Sequence, residues 1–509
     1  MSISRRAFLK LAALSAAVPF VAQLPASPYK LSLGADSPPN IILVLFDALS
    51  AKNLSIYGYE RRTTPNLERL ASRSLVFHRH YSAGNFTTPS TASLFTSVYP
   101  WTHRAFSLSG LISPGILPNN LFGLLHNTHH QAVFTQNLYA DMLLYQFESH
   151  LDRHQALDSF AVSGRTLYNH LYPEDAIAGL QSHDLFLFKR EAAHGSLLLS
   201  LLNDLEMRYS LLAASGQLSQ VYPEGLPRLA NTDVYFSFEQ VMAGVQDLIS
   251  GLPEPFFTYI HLIPPHAPYQ PSREFLGMFD DGWQPEEKKR HPLAPRLTQE
   301  RMNEQRQVYD EYIADADAEL GKLIDTLESS GILERSVVIL TSDHGEAFER
   351  GVVGHSTPLV LEPGINIPLV ISMPGIRERK DFHTLTSTVD LLPTLVSLSG
   401  QAVPGWSEGR ILPGIGPAAS QDRGVFVVEA KRNPAYSPLT KATTCMLEGD
   451  YKLVHYRGYR YGRDDYEFYD LKNDPEELND IYTTHPTARR MQLELNRTLF
   501  MADLPYLKE

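Results

Sequence analysis

The sequence predicts an α/β protein in which helices flank a mostly parallel sheet. Three segments, residues 40–46, 256–262 and 336–342, are almost continuously apolar, and they are predicted to be strands that are buried on both faces. Helical patterns lie between these segments. An alternation of buried strands with helices favours parallel strand pairing.

Polar side chains follow each predicted strand. Asp47 comes directly after the first strand, His266 shortly after the second, and Asp343 and His344 after the third. In open α/β sheets, bound ligands gather at the carboxyl ends of the strands. The polar groups are therefore predicted to form one shared site.

Two helical patterns stand out. Residues 306–330 place apolar side chains on one helix face, and Gly331 ends the pattern. A second helical stretch, residues 185–215, lies in a segment of about 104–235 that is predicted to be a helical insertion covering the site. The apolar face of the first helix consists of Tyr312, Ile313, Leu320, Leu323, Ile324 and Leu327.

The last part of the chain has a different pattern. Residues 401–424 are rich in proline, glycine and serine and are predicted to be a linker. Residues 425–509 contain short strand-like segments around 451–454 and 467–470, followed by a helical pattern near 484–500. This part is predicted to form a smaller antiparallel sheet with a closing helix.

The first residues are typical of an export signal. Ser4 to Lys10 read Ser-Arg-Arg-Ala-Phe-Leu-Lys, and an apolar stretch over residues 11–22 follows. This stretch is too short to span a bilayer but suits a signal segment. Residues 1–36 are therefore predicted to be a twin-arginine signal and linker, with the twin-arginine export machinery as a partner. The expected destination is the periplasm or the extracellular space, with a membrane tether if the signal is not cleaved.

Composition narrows the functional classes. The chain has 509 residues, a net charge of −13 and a single cysteine, Cys445. Proteins that bind nucleic acid usually present a basic face, so nucleic acid is not an expected partner. A single cysteine allows no disulfide bond within the chain. The sequence does not predict an oligomeric state.

Several segments resemble, in the same order, the blocks of the sulfatase family within the alkaline phosphatase superfamily. The motifs at residues 449–453 and 469–476 are similar to that family's second domain. The resemblance implies an alkaline-phosphatase-like fold, with a catalytic domain over residues 37–400 and a C-terminal subdomain. In the catalytic domain it is carried by residues 39–59, 63–77, 85–100, 255–269, 337–375 and 388–400.

The resemblance also implies a site for one divalent metal ion. Its expected ligands are Asp47, Asp343 and His344, with the Thr87 hydroxyl as a fourth. A mixed set of oxygen and imidazole donors suits Mn²⁺, Mg²⁺ or Zn²⁺ better than Ca²⁺, which prefers oxygen ligands alone. A divalent cation neutralises an anionic ester and lowers the pKa of a hydroxyl that it contacts.

The nucleophile segment departs from the sulfatase pattern. Thr87 stands where sulfatases carry the Cys or Ser that is oxidised to formylglycine, and Thr91 stands where they carry an Arg. Ala48 replaces the second Asp of the usual pair. Threonine cannot form the aldehyde, and the metal set with Thr is similar to that of phosphoethanolamine transferases and lipoteichoic acid synthases, which attack phosphorus with threonine. Pro89 is predicted in the first turn of a helix capped by Thr88, with the nucleophile at its N-terminus.

Four further residues are candidates for contacts with the substrate. His266 matches the family histidine that contacts the ester or the leaving group. His355 resembles the second substrate histidine of the threonine enzymes. Either imidazole can donate a proton to a leaving oxygen. Asn137 and His103 are predicted to be substrate-binding loop residues.

Together these patterns predict a metal-dependent hydrolase of sulfate or phosphate esters that attacks through a metal-bound Thr87 rather than through formylglycine. The expected substrate is a small anionic ester, on a glycan or a lipid among other carriers. One alternative is a phosphotransferase that moves a phosphoethanolamine- or glycerophosphate-type group to a second alcohol. Another is a non-catalytic binding protein with a decayed site, which the missing Arg and Asp favour and the retained metal set opposes.

Overall fold

The computed structural model describes residues 38–162, 182, 196–229, 232, 234–355, 358–416, 423–459 and 465–507. The predicted signal and linker, residues 1–36, and the first part of the predicted helical stretch at 185–215 lie outside these ranges. Within them, none of the helices is both long enough and apolar enough to cross a membrane.

A large, mostly parallel sheet dominates the described part of the chain. The strands, in chain order, are β1 (Asn40–Phe46), β2 (Leu75–Phe77), β3 (His80–Tyr81), β4 (His130–Thr135), β5 (Arg153–Gln155), β6 (Phe256–Leu262), β7 (Ser336–Thr341), β8 (Ala347–Glu349), β9 (Val352–Gly354), β10 (Leu369–Ser372), β11 (Lys380–Phe382), β12 (Thr386–Ser387), β13 (Val425–Glu429), β14 (Ala442–Glu448), β15 (Tyr451–Arg457) and β16 (Tyr466–Asp470). The central sheet has the order β11-β2-β10-β7-β1-β6-β4-β5. Its strands all run in one direction except β10, which is antiparallel to β7 and β2.

The three predicted strands are neighbours at the centre of this sheet. β1 pairs in parallel with β6 on one side and with β7 on the other, and all its side chains are buried. Alternate residues of β1 enter two separate apolar layers, with Ile42 and Val44 on one face and Ile41 and Leu43 on the other. The continuous apolar run therefore reflects burial on both faces, as predicted.

Helices cover both faces of the sheet. The α-helices of the described residues are α1 (Pro65–Ala71), α2 (Thr87–Thr96), α3 (Pro100–His103), α4 (Leu121–Leu125), α5 (Leu138–Tyr145), α6 (Leu197–Leu218), α7 (Phe238–Ser250), α8 (Gln299–Ser329), α9 (Glu362–Ile365), α10 (Leu391–Leu398) and α11 (Pro486–Asp503). Short 3₁₀ turns lie at Ala51–Asn53, Ser55–Tyr57, Glu148–His150, Leu333–Arg335, Thr388–Asp390 and Leu504–Tyr506. Helices α7 and α8 cover one face, and α2, α4, α5 and α10 cover the other.

Helix α8 confirms the helix predicted over residues 306–330 and begins earlier than predicted. Thr298 caps its N-terminus, because the hydroxyl accepts from the Arg301 N–H at 3.3 Å. Gly331 follows its C-terminus with a φ of 68°, a conformation that favours glycine. All six side chains predicted for its apolar face are buried.

The prediction of a helical insertion over residues 104–235 is wrong for its first half. Strands β4 and β5 extend the central sheet beyond β6, with parallel pairing. Helices α4, α5 and α6 also lie in this segment, and the predicted stretch at 185–215 anticipates α6 in part. Strand β4 escapes prediction because it is short and begins with His130 and Gln131, which interrupt the apolar pattern.

The C-terminal part forms the predicted small antiparallel sheet and helix. Its strand order is β13-β14-β15-β16, and α11 packs on it through Met491 and Leu495. The described linker residues, 401–416, form turns, yet Leu412 and Ile415 are buried against the central domain. The predicted fold class is therefore confirmed.

Candidate metal centre and active site

The carboxyl ends of four adjacent parallel strands meet at one edge of the central sheet. Asp343 follows β7, Asp47 follows β1, His261 lies near the end of β6, and Asn137 follows β4. The Asp47 N–H continues the strand pairing by donating to the Leu262 carbonyl at 2.8 Å. Ligand sites of open α/β folds lie at such an edge, and the structure brings these four side chains together there.

Asp47, Asp343 and His344 form a cluster of potential metal ligands. One ligand atom of each lies within 4.8 Å of the others, and all three residues are fully buried. His344 Nε2 is 3.4 Å from Asp47 Oδ1 and 3.4 Å from Asp343 Oδ2. The other ring nitrogen, Nδ1, donates to the Gly345 carbonyl at 3.0 Å. This hydrogen bond assigns the proton to Nδ1 and leaves the Nε2 lone pair facing the carboxylates.

Backbone donors fix the orientation of Asp343. Its Oδ1 accepts from the His344 N–H at 2.9 Å and from the Ala48 N–H at 3.3 Å. The loops after β1 and β7 are also joined by the Ser342 hydroxyl, which accepts from the Leu49 N–H at 3.0 Å. Because Oδ1 is occupied by these donors, Oδ2 is the atom that faces the cluster.

Helix α2 presents Thr87 to the same cluster. The helix begins at Thr87, and its hydroxyl oxygen lies 3.4 Å from His344 Nε2. The residue is 4% exposed. Free N–H groups at a helix N-terminus favour a bound anion, so an anionic ester beside Thr87 would meet a favourable local field.

The start of helix α2 corrects one prediction. Phe86, in an extended conformation, is the N-cap residue. Thr88 lies inside the helix, where its hydroxyl donates to the Leu108 carbonyl at 2.5 Å, so Thr88 is not the cap. Pro89 occupies the first turn, as predicted.

Asn137 connects the nucleophile candidate with the carboxylates. Its Nδ2 donates to Asp47 Oδ2 at 2.5 Å and to Thr87 Oγ1 at 3.1 Å. Its Oδ1 accepts from the N–H groups of Tyr139 and Ala140 and thereby caps helix α5. The structure thus places Asn137 inside the site, held between a helix N-terminus and the metal cluster.

His266 and His355 lie at the partly exposed mouth of the site. The ring centroid of His355 is 4.2 Å from that of His344 and 4.9 Å from that of His266. His355 Nδ1 contacts the buried Glu346 carboxylate at 3.1 Å, and His266 Nδ1 donates to the Ala267 carbonyl at 2.6 Å. The rings of His344, His355 and His266 therefore lie in a row that leads from the buried ligand cluster to the partly exposed mouth.

The charged groups of the site change one another's pKa values. Burial would raise the pKa of Asp47, but His266, His261 and His344 around it hold that pKa well below its usual range. Burial lowers the pKa of His344, which keeps its ring neutral despite Asp343. Burial opposes protonation of His266, but Asp47 and then Glu346 outweigh it and raise its pKa.

Two neighbours at the mouth are shifted mainly by burial. Burial, followed by the charge of His266, lowers the pKa of His355 to about 3. Burial raises the pKa of the Glu346 carboxyl to about 7, although His266 and His344 act against the shift. A carboxyl group that holds its proton near neutral pH can donate to His355 Nδ1 as well as accept from it.

His103 does not lie among the ligand atoms. It is fully buried behind helix α2, where Nε2 lies 3.2 Å from the Pro89 carbonyl and 3.0 Å from the Ser93 hydroxyl. Its Nδ1 accepts from the Ala105 N–H at 3.1 Å. Burial lowers the pKa of His103 to about 3. Nε2 of His103 contacts helix α2, and Nδ1 contacts the backbone of Ala105. His103 therefore does not lie at the substrate-binding position that was predicted for it.

Sequence reasoning missed His261. Its Nε2 lies 3.5 Å from Asp47 Oδ2 and 3.8 Å from Asp343 Oδ2, and its side chain is fully buried. Burial opposes protonation, but the two carboxylates raise the pKa of His261. The sequence did indicate a site residue here, because His261 is a titratable side chain near the carboxyl end of an otherwise largely apolar strand. Strand alternation places it on the same face as Phe257 and Tyr259.

The donor set fits a divalent cation. Asp47 Oδ1, Asp343 Oδ2 and His261 Nε2 are buried and have no hydrogen-bond partner among the described residues. Buried polar atoms without partners are costly, and these three converge with the unprotonated Nε2 of His344. Asp47, Asp343 and His344 would hold the ion, which would compensate the two carboxylates.

Comparisons with known proteins identify the family. The family model described as sulfatase matches residues 39–401. The chain belongs to the sulfatase family. A second model, described as the C-terminal part of N-sulphoglucosamine sulphohydrolase, matches residues 355–503. The family match confirms the family that the sequence motifs indicate.

Relatives of this sulfatase-family protein are distant in sequence. It is 24% identical over 402 residues to an N-acetylgalactosamine-6-sulfatase from Rattus norvegicus, a match that covers 76% of the chain but 66% of the relative's own length. It is 24% identical over 467 residues to a choline-sulfatase from Rhizobium meliloti, covering 87% of the chain and 82% of that relative.

Solved structures share the fold of this sulfatase-family protein. The phosphonate monoester hydrolase of Agrobacterium radiobacter matches with a TM-score of 0.65 and 18% identity, over 92% of this chain and 96% of the other. A protein solved with its substrate D-glucosamine-2-N,6-O-disulfate matches with a TM-score of 0.62 and 18% identity, over 93% of this chain and 100% of the other. At these identities the likeness describes the fold.

Proposed function

We propose that this protein hydrolyses sulfate or phosphate esters with the help of a divalent metal ion and that Thr87 is its nucleophile. The observation that carries the proposal is the position of the Thr87 hydroxyl. It lies at a helix N-terminus, 3.4 Å from His344 Nε2 and 3.1 Å from Asn137 Nδ2. This hydroxyl lies beside the potential metal ligands and beside the free N–H groups of a helix N-terminus. Both features favour attack on an anionic ester.

The first step forms a covalent intermediate. Asp47, Asp343 and His344 would hold a divalent cation, which would neutralise the ester oxygens and lower the pKa of a nearby hydroxyl. The Thr87 hydroxyl releases its proton to water, and its Oγ attacks the sulfur or phosphorus atom. The new bond to Oγ forms as the bond to the leaving alcohol oxygen breaks. Asn137 holds Thr87 in position throughout, because its Nδ2 donates to Oγ1.

The leaving oxygen takes a proton from a histidine at the mouth of the site. Of the two histidines there, His266 is the candidate donor, because Asp47 and Glu346 raise its pKa against burial. The lowered pKa of His355 leaves that ring neutral, and it borders His266 at 4.9 Å as a candidate for contact with the substrate. Water then attacks the sulfur or phosphorus atom of the intermediate, and Thr87 regains its hydroxyl. If a second alcohol replaces water, the same chemistry becomes group transfer. The threonine at position 87 favours this phosphotransferase as the second candidate.

The names of the relatives support a small anionic ester as the substrate. They include enzymes named for a sulfated amino sugar, for choline sulfate and for the sulfated polysaccharide ulvan. We therefore propose an ester on a glycan or on another small alcohol. The phosphonate monoester hydrolase fold keeps phosphorus esters in the proposal.

The nucleophile is tested by replacing Thr87 with Ala and with Ser. Thr87→Ala is expected to lower kcat at least about a thousandfold, because it removes the attacking oxygen. Thr87→Ser keeps an oxygen and is expected to retain part of the activity. The measurement is cleavage of p-nitrophenyl sulfate and of bis(p-nitrophenyl) phosphate, each with Mn²⁺, Mg²⁺, Zn²⁺ and Ca²⁺. Intact-protein mass spectrometry after rapid quenching should show one added sulfuryl group with the sulfate, or one added p-nitrophenyl phosphoryl group with the diester, and neither in Thr87→Ala.

Thr96→Ala is the matched control. Thr96 is a buried threonine of the same helix, and its hydroxyl donates to the Ala92 carbonyl at 2.6 Å. This variant should keep kcat within a few-fold. Activity of Thr87→Ala close to that of the unaltered protein would contradict the proposed nucleophile. A protein that cleaves neither ester and retains no stoichiometric metal would instead support the decayed binding site.

We also propose that the protein is exported by the twin-arginine route, on the basis of Ser4 to Lys10. Replacing both Arg5 and Arg6 with Lys keeps the charge but removes the arginine pair. The full-length variant is expected to stay in the cytoplasm, whereas the unaltered protein should appear in the periplasmic or extracellular fraction. Equal export of both proteins on cell fractionation would rule out this route.

A further inference from the structure

The strand histidine His261 has one committed nitrogen and one uncommitted nitrogen. Nδ1 lies 2.9 Å from the Tyr259 hydroxyl, which is also buried. Nε2 has no hydrogen-bond partner among the described residues. Histidines that bind metals commonly use one nitrogen for the metal while the other makes a hydrogen bond that fixes the ring. Tyr259 can fix the ring of His261 in this way.

The spacing of the donor atoms matches a shared ion. Metal–ligand bonds of about 2.0–2.2 Å around one ion place neighbouring donor atoms roughly 3–3.5 Å apart. The His344 Nε2 distances to the two carboxylates are 3.4 Å, and the His261 Nε2 distance to Asp47 Oδ2 is 3.5 Å. The distance from His261 Nε2 to Asp343 Oδ2, 3.8 Å, is too long for a hydrogen bond. His261 Nε2 thus lies at the edge of the cluster formed by Asp47, Asp343 and His344, nearest to Asp47 Oδ2, the oxygen that also accepts from Asn137.

The residue after Asp47 supplies no side-chain metal ligand, so a ligand from another strand, such as His261, can take part. Ala48, which follows Asp47, offers no side-chain donor. Its backbone N–H is directed to Asp343 Oδ1, and its carbonyl accepts from the Tyr309 hydroxyl. The described protein donors that face the centre of the cluster are therefore two carboxylates, the Thr87 hydroxyl and imidazoles.

We propose that His261 Nε2 is a further protein ligand of the divalent metal ion, in addition to Asp47, Asp343 and His344. Two carboxylates balance the charge of a divalent cation, and two neutral imidazoles add donors without adding charge. A set with two imidazoles favours Zn²⁺ or a similar transition metal over Mg²⁺ and Ca²⁺. The inference deepens the proposed function, because it concerns the same site, but its test requires no turnover.

The test compares metal binding by the full chain and its variants. Isothermal titration of chelator-treated protein with Zn²⁺ measures the affinity, and electron spin echo spectroscopy of the Cu²⁺ form counts the bound imidazoles. His261→Asn is expected to weaken Zn²⁺ binding at least about tenfold and to reduce the imidazole count from two to one. His344→Asn should give the same reduction. Thr87→Ala should keep both imidazoles even if the proposed nucleophile is wrong.

His129→Asn is the matched control for loss of a buried histidine. His129 Nε2 lies 3.0 Å from the Pro39 carbonyl, and His129 is 4% exposed. The control should keep two bound imidazoles and an unchanged Zn²⁺ affinity. One bound imidazole in the unaltered protein, with Zn²⁺ affinity unchanged or increased in His261→Asn, would overturn the proposal. That result would make His261 an imidazolium that pairs with the carboxylates.

Folding of the variants is checked by circular dichroism. If His261→Asn does not fold, His261→Gln is used. If neither folds, the assignment is made by elimination with His266→Asn and His355→Asn at the partly exposed mouth. Each of these should keep two bound imidazoles, and loss of one imidazole in either would identify that residue as the second ligand and refute His261.

Discussion

Gly345 lies where a side chain would collide with a neighbouring loop. A Cβ atom at this position would be 2.0 Å from the Pro363 carbonyl oxygen. The Gly345 N–H donates to the Gly364 carbonyl at 2.9 Å, so the two loops are in direct contact. The Gly345 carbonyl also accepts from His344 Nδ1 and so fixes the tautomer that faces the carboxylates. A residue without a side chain therefore helps to orient His344, a proposed metal ligand.

Gly345→Ala is expected to weaken metal binding at least about tenfold, because the loop must move and take His344 with it. The measurement is Zn²⁺ titration, with thermal unfolding to check that the protein stays folded. Gly405→Ala is the matched control, since a Cβ atom there would meet nothing within 4 Å. Equal Zn²⁺ affinities of Gly345→Ala and the control would show that the close contact does not position His344.

Ala48 shows a second backbone constraint beside the site. Its φ of 58° lies in the left-handed region, which costs a non-glycine residue roughly 1–2 kcal/mol. The Tyr309 hydroxyl donates to its carbonyl at 2.6 Å and accepts from the Ser50 N–H at 3.0 Å. These contacts hold the turn that directs Asp47 into the cluster. Strained residues of this kind are common at functional sites.

At the scale of the elements, the site depends on the order of the strands more than on any one strand. The order β7-β1-β6-β4 places four parallel carboxyl ends side by side. The end of β7 contributes Asp343 and His344, and the other three ends contribute Asp47, His261 and Asn137. Helix α2 adds Thr87 from the face that it covers. Strand β10 runs in the opposite direction, but it lies on the far side of β7 from β1 and is not one of the four strands that carry the site.

Helix α8 stabilises the neighbouring loops with carboxylates. Asp317 Oδ1 accepts from the Leu67 N–H at 2.9 Å, and its Oδ2 accepts from the Asn66 N–H at 2.7 Å. These acceptors cap helix α1, because the side chain of its N-cap residue, Thr64, makes no capping hydrogen bond. Burial raises the pKa of Asp317 to about 6. The helix thus serves both as an apolar cover and as a source of caps.

At the scale of the whole molecule, a buried charge links the C-terminal sheet to the catalytic domain. Lys452 in β15 is fully buried, and its Nζ lies 3.0 Å from the Glu362 carboxylate and 2.6 Å from that of Glu477. It also donates to the Val360 carbonyl at 2.7 Å. Burial opposes the charge, but Glu477 and Glu362 outweigh it and raise the pKa of Lys452.

The ion pair between Lys452 and Glu362 is connected to the candidate metal site through helix α9. Glu362 is the first residue of helix α9, and Gly364 in the same helix accepts from the Gly345 N–H. The C-terminal sheet therefore supports the loop that carries His344.

Lys452→Met is expected to lower the free energy of unfolding by about 3–5 kcal/mol, because it leaves two buried carboxylates without a cation. Urea and thermal unfolding measure the change. Lys472→Met, at an exposed lysine of the same subdomain, should change the free energy by less than about 0.5 kcal/mol. Equal unfolding midpoints for the two variants would contradict a structural role for the buried charge.

Local patterns in the sequence determined the α/β class, the three central strands and helix α8. Burial on both faces demands a continuous apolar run, and a helix face demands a 3.6-residue period, so both leave a direct trace in the chain. The positions of Asp47, Asp343 and His266 after predicted strands could also be predicted from the sequence. His344 could be read from its strand end too, whereas Thr87 was identified by family resemblance, and the comparisons confirm the family but not the role of threonine.

Only the tertiary structure decided which side chains converge. His261 and Asn137 meet Asp47 because β6 and β4 follow β1 in the sheet, an order that no local pattern specifies. His103 and Asn137 were predicted alike from the sequence, yet packing placed His103 behind helix α2. Phe86 rather than Thr88 caps that helix, because the hydroxyl of Thr88 found a carbonyl elsewhere. Contacts between residues far apart in the chain depend on topology and packing, which single-residue chemistry does not encode.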